Sequence, residues 1–138
     1  MKIVLATGGS GGHIFPALKV ADQLRRMGHA AILVGVFGGA SRKIQKEGFS
    51  YFNLSAQGFS FSSVVGFLKS FFYMLKALGE SFQILRNLKP DCVCGFGGYG
   101  AFPVLGAAFL LRCPTMIHEQ NVVPGRANRI LSLGVGKI

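Results

Sequence analysis

Short apolar runs that lack a polar face, set between longer stretches of helical character, constrain this chain more than any other feature. Lys2–Thr7, Ala30–Val36, Tyr51–Leu54, Asp91–Phe96 and Thr115–His118 read as strands. Between them, Pro16–Met27 places Ala17, Val20, Ala21 and Leu24 on one helical face, with Pro16 suited to a first turn and Gly28 to a stop. Ser41–Glu47 predicts a short solvated helix, Val64–Leu88 a long helix or a pair broken near Gly79, Phe102–Leu111 a buried helix and Arg126–Leu133 a further one. Strands apolar on both sides must be covered on both sides. The prediction is therefore an α/β fold, a Rossmann-like parallel sheet with helices on both faces.

The length of 138 residues suits one domain. Of the two common strand orders, 3-2-1-4-5 is favoured over 2-1-3-4-5, because it makes the first and fourth strands neighbours across the topological switch point. The turns after those strands are the barest in the chain, Gly8-Gly9-Ser10-Gly11-Gly12-His13 and Gly95-Phe96-Gly97-Gly98-Tyr99-Gly100. The closing Gly-Val-Gly-Lys-Ile reads as the lead-in to a sixth strand, which suggests part of a longer fold.

Four glycines in five positions exceed the needs of a strand–helix turn. They let an anion approach backbone amides at a positive helix end. The turn is not G-x-G-x-x-G, no acidic residue follows the second strand to hold a ribose, and the Gly-Lys-Ser/Thr of a P-loop is missing. Nicotinamide and NTPase readings therefore lose ground to another phosphate ligand. His13 either packs and caps the helix or serves the anion as donor or base. Tyr99 either packs or hydrogen-bonds a phosphate or sugar. The run His118-Glu119-Gln120-Asn121 is costly to bury and reads as a polar site at the carboxyl edge, with Glu119 and Asn121 the foremost contacts.

The charge balance, 15 Lys+Arg against 5 Asp+Glu, predicts an anionic partner. In the long helical stretch, Val64, Phe71, Leu75, Leu78 and Phe82 form a stripe expected to pack on the sheet. Phe72 and Tyr73 fall outside it beside Lys69 and Lys76, a pattern suited to an anionic bilayer surface. The charges within this stretch argue against a transmembrane helix, and the first residues do not form a signal peptide. Cys92, Cys94 and Cys113 lack a disulfide pattern or nearby metal ligands and are expected as buried, reduced thiols of a cytoplasmic chain.

Three segments in register, GGSGGHIFPAL, KPDCVCGFGGYGAFPVLGAA and PTMIHEQNVVPGRANRIL, resemble the N-terminal half of the MurG family. These are the peripheral membrane N-acetylglucosaminyltransferases of bacterial peptidoglycan synthesis, and the resemblance runs from residue 2 to about 133. It implies the GT-B arrangement, with residues 1–138 as the acceptor-side domain and the donor-side domain absent from the chain. The implied reaction transfers N-acetylglucosamine from UDP-GlcNAc to an undecaprenyl-diphosphate-linked muramoyl acceptor, with inversion, at the cytoplasmic face of the plasma membrane. No cofactor and no metal are implied.

By position in the motifs, Ser10, Gly11, Gly12 and Asn121 match contacts to UDP-GlcNAc. The glycine turns, with Gly97, Gly98 and Tyr99, match the place of the lipid diphosphate, and His13 and Glu119 match residues assigned to catalysis. Alone, the chain is expected to bind acceptor weakly without transfer and to expose an apolar patch where the second domain would sit. The competing reading is a non-catalytic membrane-docking subunit that recruits a separate donor-binding chain. A nucleic-acid module finds no supporting motif.

Overall fold

The computed structural model describes residues 1–58 and 63–119. Five parallel strands, β1 (Lys2–Gly8), β2 (Ala30–Val36), β3 (Ser50–Asn53), β4 (Cys92–Gly95) and β5 (Thr115–Ile117), lie in the order β3-β2-β1-β4-β5. The favoured order is the observed one. Val4 pairs with Ile32 on one side and Val93 on the other, so β1 is the central strand. Its Val4, Leu5 and Ala6 are fully buried because both faces are covered.

Helices α1 (Gly11–Arg26) and α2 (Ser41–Lys46) cover one face, where Ile14, Ala17, Leu18, Ala21 and Ile44 pack with Leu5, Leu33 and Phe96. Helices α3 (Val64–Leu88) and α4 (Ala101–Leu110) cover the other, where Ala77, Leu85, Val104 and Ala108 pack with Val4, Ala6 and Val34. Two layers of helix on one sheet make the doubly wound architecture. The expected Arg126–Leu133 helix and the sixth-strand lead-in lie outside the described residues.

Two local expectations are corrected. Helix α1 begins at Gly11 rather than Pro16, because Ser10 is already extended (φ −146°, ψ 157°) and the helix starts directly after it. His13 therefore sits in the first helical turn, and Pro16 lies inside the helix. Of the two readings of the long helical stretch, the single helix is the observed one: α3 is unbroken through Gly79, which is exposed and has open space around it.

The packed face of α3 is also different. Ser70, Met74, Ala77, Ser81 and Leu85 are buried, whereas Val64, Phe71 and Leu75 are 77%, 48% and 51% exposed; only Leu78 and Phe82 of the expected stripe touch the core. Small residues let α3 lie close to α4, where a Cβ on Gly106 would meet Leu78 Cδ1 at 3.3 Å. The hydroxyls are satisfied within the helix, Ser70 Oγ donating to the Gly66 carbonyl at 2.9 Å and Ser81 Oγ to Ala77 at 2.7 Å. Bonded this way, a serine is cheap to bury.

Of the three cysteines, all free, Cys94 is buried and Cys92 and Cys113 are half-buried. Burial, with Cys92 beside it, pushes the Cys94 thiol from 9.0 up to about 11. Burial also raises Cys92 and Cys113. The thiolate is the reacting form. Ellman's reagent at pH 8 should therefore label the native chain slowly, Cys94 last, and label the unfolded chain fast. Rapid native labelling of Cys94 would contradict its burial. Because the unfolded thiol ionises first, the stability contributed by protonated Cys94 is full below pH 9 and declines as pH rises towards 11.

Candidate functional site

The site follows from strand order. Strands β1 and β4 are adjacent and parallel, Ala6 opposite Gly95, so the turns that leave them emerge at the same edge of the sheet. The Phe96 amide still bonds the Ala6 carbonyl at 2.8 Å, which holds the second turn against the first. Gly98 (φ 77°) crosses so close to Gly8 that a Cβ there would collide with the Gly8 carbonyl oxygen. The Tyr99 ring lies against Gly9 (φ 94°), where a Cβ would sit 2.6 Å from Tyr99 Cε1. The two bare stretches therefore meet at one notch.

His13 stands at that junction. Its Nδ1 lies 2.9 Å from the Phe96 carbonyl oxygen, and its Cδ2 would be 3.2 Å from a Cβ on Gly98. A carbonyl can only accept, so Nδ1 carries the proton and donates. In the neutral ring the lone pair is then on Nε2, the tautomer required of a base. Phe96 is fully buried and packs its ring against His118, centroids 5.1 Å apart. His118 follows β5 and donates its amide to the Gly95 carbonyl at 2.8 Å, and half-buried Glu119 comes next. The fifth strand thereby delivers His118 and Glu119 to the same edge.

The expected contacts divide by exposure. Ser10, Gly11 and Gly12 are exposed, Gly98 and Tyr99 are half-buried, and Gly97 is buried. The Gly9 amide is spent on the Val36 carbonyl at 3.1 Å. Ser10 makes no side-chain cap, the His13 amide bonds the Ser10 carbonyl at 3.2 Å, and the start of α1 is the positive end of that helix. Asn121 lies outside the described residues. On α3, Lys69, Phe72 and Lys76 are exposed and Tyr73 is half-buried, with the Phe72 and Tyr73 rings edge to face at 6.3 Å. Helix α3 crosses between parallel strands and so runs antiparallel to them, which puts its N-terminal half at the same edge as the glycine turns.

Lys43 was legible only as the i,i+4 partner of Glu47, 4.0 Å away. Its Nζ also sits 4.5 Å above the Phe15 ring, and that ring flanks Gly11, whose Cβ would lie 3.1 Å from Phe15 Cε2. Asn53, which ends β3, accepts the Phe37 amide on its Oδ1 at 3.1 Å and fixes the turn after β2. Neither contact follows from local pattern, since each joins residues far apart in sequence. Among the described residues no cluster of three or more His, Cys, Asp or Glu could hold a metal ion, and no helix is long and apolar enough to cross a membrane.

A doubly wound parallel sheet with its switch point between β1 and β4 is a Rossmann-like domain. The Glycosyltransferase family 28 N-terminal domain matches residues 3–138, and the chain belongs to that family. It is 39% identical to a UDP-N-acetylglucosamine–N-acetylmuramyl-(pentapeptide) pyrophosphoryl-undecaprenol N-acetylglucosamine transferase of Rhodospirillum rubrum, a match covering 99% of the chain and 35% of that relative. The protein of the same description from Thermodesulfovibrio yellowstonii is 44% identical over 95% of the chain and 37% of its own length. The chain thus spans little more than a third of these curated relatives.

Among solved structures, MurG of Acinetobacter baumannii matches with a TM-score of 0.85 at 36% identity, covering 98% of this chain and 40% of that one. A UDP-GlcNAc 2-epimerase from Neisseria meningitidis, TM-score 0.69 at 16% identity over 98% of this chain and 39% of that one, shares the fold alone.

Proposed function

We propose that this chain is the acceptor-side domain of an inverting N-acetylglucosaminyltransferase that uses UDP-GlcNAc and an undecaprenyl-diphosphate-linked muramoyl acceptor. The observation that carries the reading is the meeting of the two glycine turns beside His13. In an inverting displacement the acceptor hydroxyl attacks the anomeric carbon opposite the departing UDP, and a base takes its proton. His13, with its lone pair on Nε2, is that base, and Glu119 assists beside it. Gly97, Gly98 and Tyr99 form the wall on which the acceptor diphosphate rests. Ser10, Gly11 and Gly12 supply helix-end amides to the donor phosphates, completed by Asn121 and by a donor-side domain. The test is a transfer assay with UDP-GlcNAc and the lipid acceptor on a two-domain protein carrying this chain. Formation of the disaccharide product supports the reading, and an intact two-domain protein that never forms it would refute it. By itself the 138-residue chain is expected to bind the acceptor without transfer.

The acceptor is both anionic and membrane-bound, and the exposed end of α3 suits its surface. Phe72, 66% exposed, enters the headgroup region while Lys69 and Lys76 meet lipid phosphates at the cytoplasmic face. Each basic residue near such a surface contributes about 1 kcal/mol, so Lys69→Ala with Lys76→Ala should lower partitioning to phosphatidylglycerol vesicles roughly 30-fold. Sedimentation with the vesicles checks this, and unchanged, salt-insensitive partitioning would remove the surface from α3. The competing role, a membrane-docking subunit without catalysis, predicts activity only when a separate donor-binding chain is added.

A further inference from the structure

The loop after β3 reaches the glycine cleft from a direction the sequence does not advertise. Leu54 and Ala56 are buried in the α3–α4 layer, and the Leu54 amide bonds the Gly35 carbonyl at 2.7 Å. Between them, Ser55 is gripped twice by one carboxylate of α3. Its amide donates to Glu80 Oε2 at 2.9 Å and its hydroxyl to Glu80 Oε1 at 2.7 Å. Three residues further on, Gly58 backs onto the Tyr99 ring, a Cβ there lying 3.7 Å from Tyr99 Cδ1. The same edge of the ring, Cε1 and Cδ1, also lies against Gly9. One edge of Tyr99 therefore touches both a loop clasped by α3 and the first glycine turn.

We infer that Glu80 is a positioning residue for the cleft, a proposal that rests on the reading of the glycine turns as a diphosphate site. It fixes the loop that sets Tyr99 against Gly9, and so ties the seat of α3 to the shape of the notch. A carboxylate accepting two hydrogen bonds from one residue fixes both position and orientation, and such charge-assisted bonds are the stronger kind. Lys76, one of the lysines assigned to the bilayer surface, lies 3.9 Å from Glu80 Oε1 and shares the same carboxylate. The link from the lipid-facing end of α3 to the cleft thus runs from Lys76 through Glu80 and Ser55 to the loop that touches Tyr99.

The experiment uses the 138-residue chain with ring-labelled tyrosine. There are only three tyrosines, and Tyr99→Phe assigns the signal. Glu80→Ala should move the Tyr99 ring resonance, leave that of Tyr51 in place, and weaken binding of inorganic pyrophosphate about fivefold, within the range of such couplings. Glu80→Gln, which can still accept from the Ser55 amide and bond its hydroxyl, should restore most of both. Should Glu80→Ala fail to fold, Ser55→Ala removes only the hydroxyl bond and should move the same resonance. A Tyr99 ring and an affinity unchanged in folded Glu80→Ala would overturn the proposal. If pyrophosphate leaves the wild-type Tyr99 signal untouched, the diphosphate reading fails. The response of the ring to Glu80→Ala then decides the positioning role by itself.

Discussion

His13→Ala, in a two-domain protein carrying this chain, is expected to lower kcat by about 10²- to 10⁴-fold, the range for losing a positioned general base. KM for the acceptor should change far less, because the Phe96 amide on the Ala6 carbonyl, at 2.8 Å, still holds the second turn against the first. The expectation rests on one hydrogen bond. With Nδ1 committed to the Phe96 carbonyl at 2.9 Å, the ring presents Nε2 as acceptor without a tautomer change. His13→Gln keeps a donor for Phe96 but supplies no base, and should be nearly as slow as alanine. Retained turnover in both variants would remove His13 from the chemistry and leave Glu119 as the base.

Gly98→Val should do more damage to the domain than any other exchange at the cleft. The position combines φ 77° with a backbone approach so close that a Cβ would strike the Gly8 carbonyl. A non-glycine residue held in such a region costs about 1–3 kcal/mol before the collision is counted. For a domain of this size that corresponds to a fall in Tm of roughly 3–12 °C. Because the second turn can relieve the clash only by moving off the first, diphosphate binding should be lost even where the variant folds. Gly79→Ala is the control. It is exposed on α3 with open space around it, so alanine should be neutral or stabilise by about 0.5–1 kcal/mol. A Gly98→Val chain that melts and binds like the parent would mean the turns do not meet as described.

The layer architecture was legible because it rests on a pattern that burial enforces. A central strand such as Val4-Leu5-Ala6 has no polar side, and only a doubly covered parallel sheet accommodates it. The strand order followed from two bare turns that needed to be neighbours. The buried face of α3 was not legible, because close packing against α4 selected Ser70, Ala77 and Ser81, which a hydrophobicity count ranks low. The start of α1 was displaced for a similar reason: glycines read as a loop, while the extended Ser10 allowed the helix to begin at once. The clasp of Glu80 on Ser55 and the stacking of Lys43 on Phe15 join distant residues, and no local spacing encodes them. Asn121 lies beyond the described residues.

The most direct test of a diphosphate notch formed by two turns is a titration of the glycine-¹⁵N-labelled chain with geranyl diphosphate, followed by amide resonances. The amides of Gly8 and Gly9 in the first turn and of Gly97 and Gly98 in the second should shift together with one shared Kd, and Gly98→Val should abolish both sets of shifts. Shifts confined to one turn, or glycine amides that stay still while the ligand binds elsewhere on the basic surface, would contradict it.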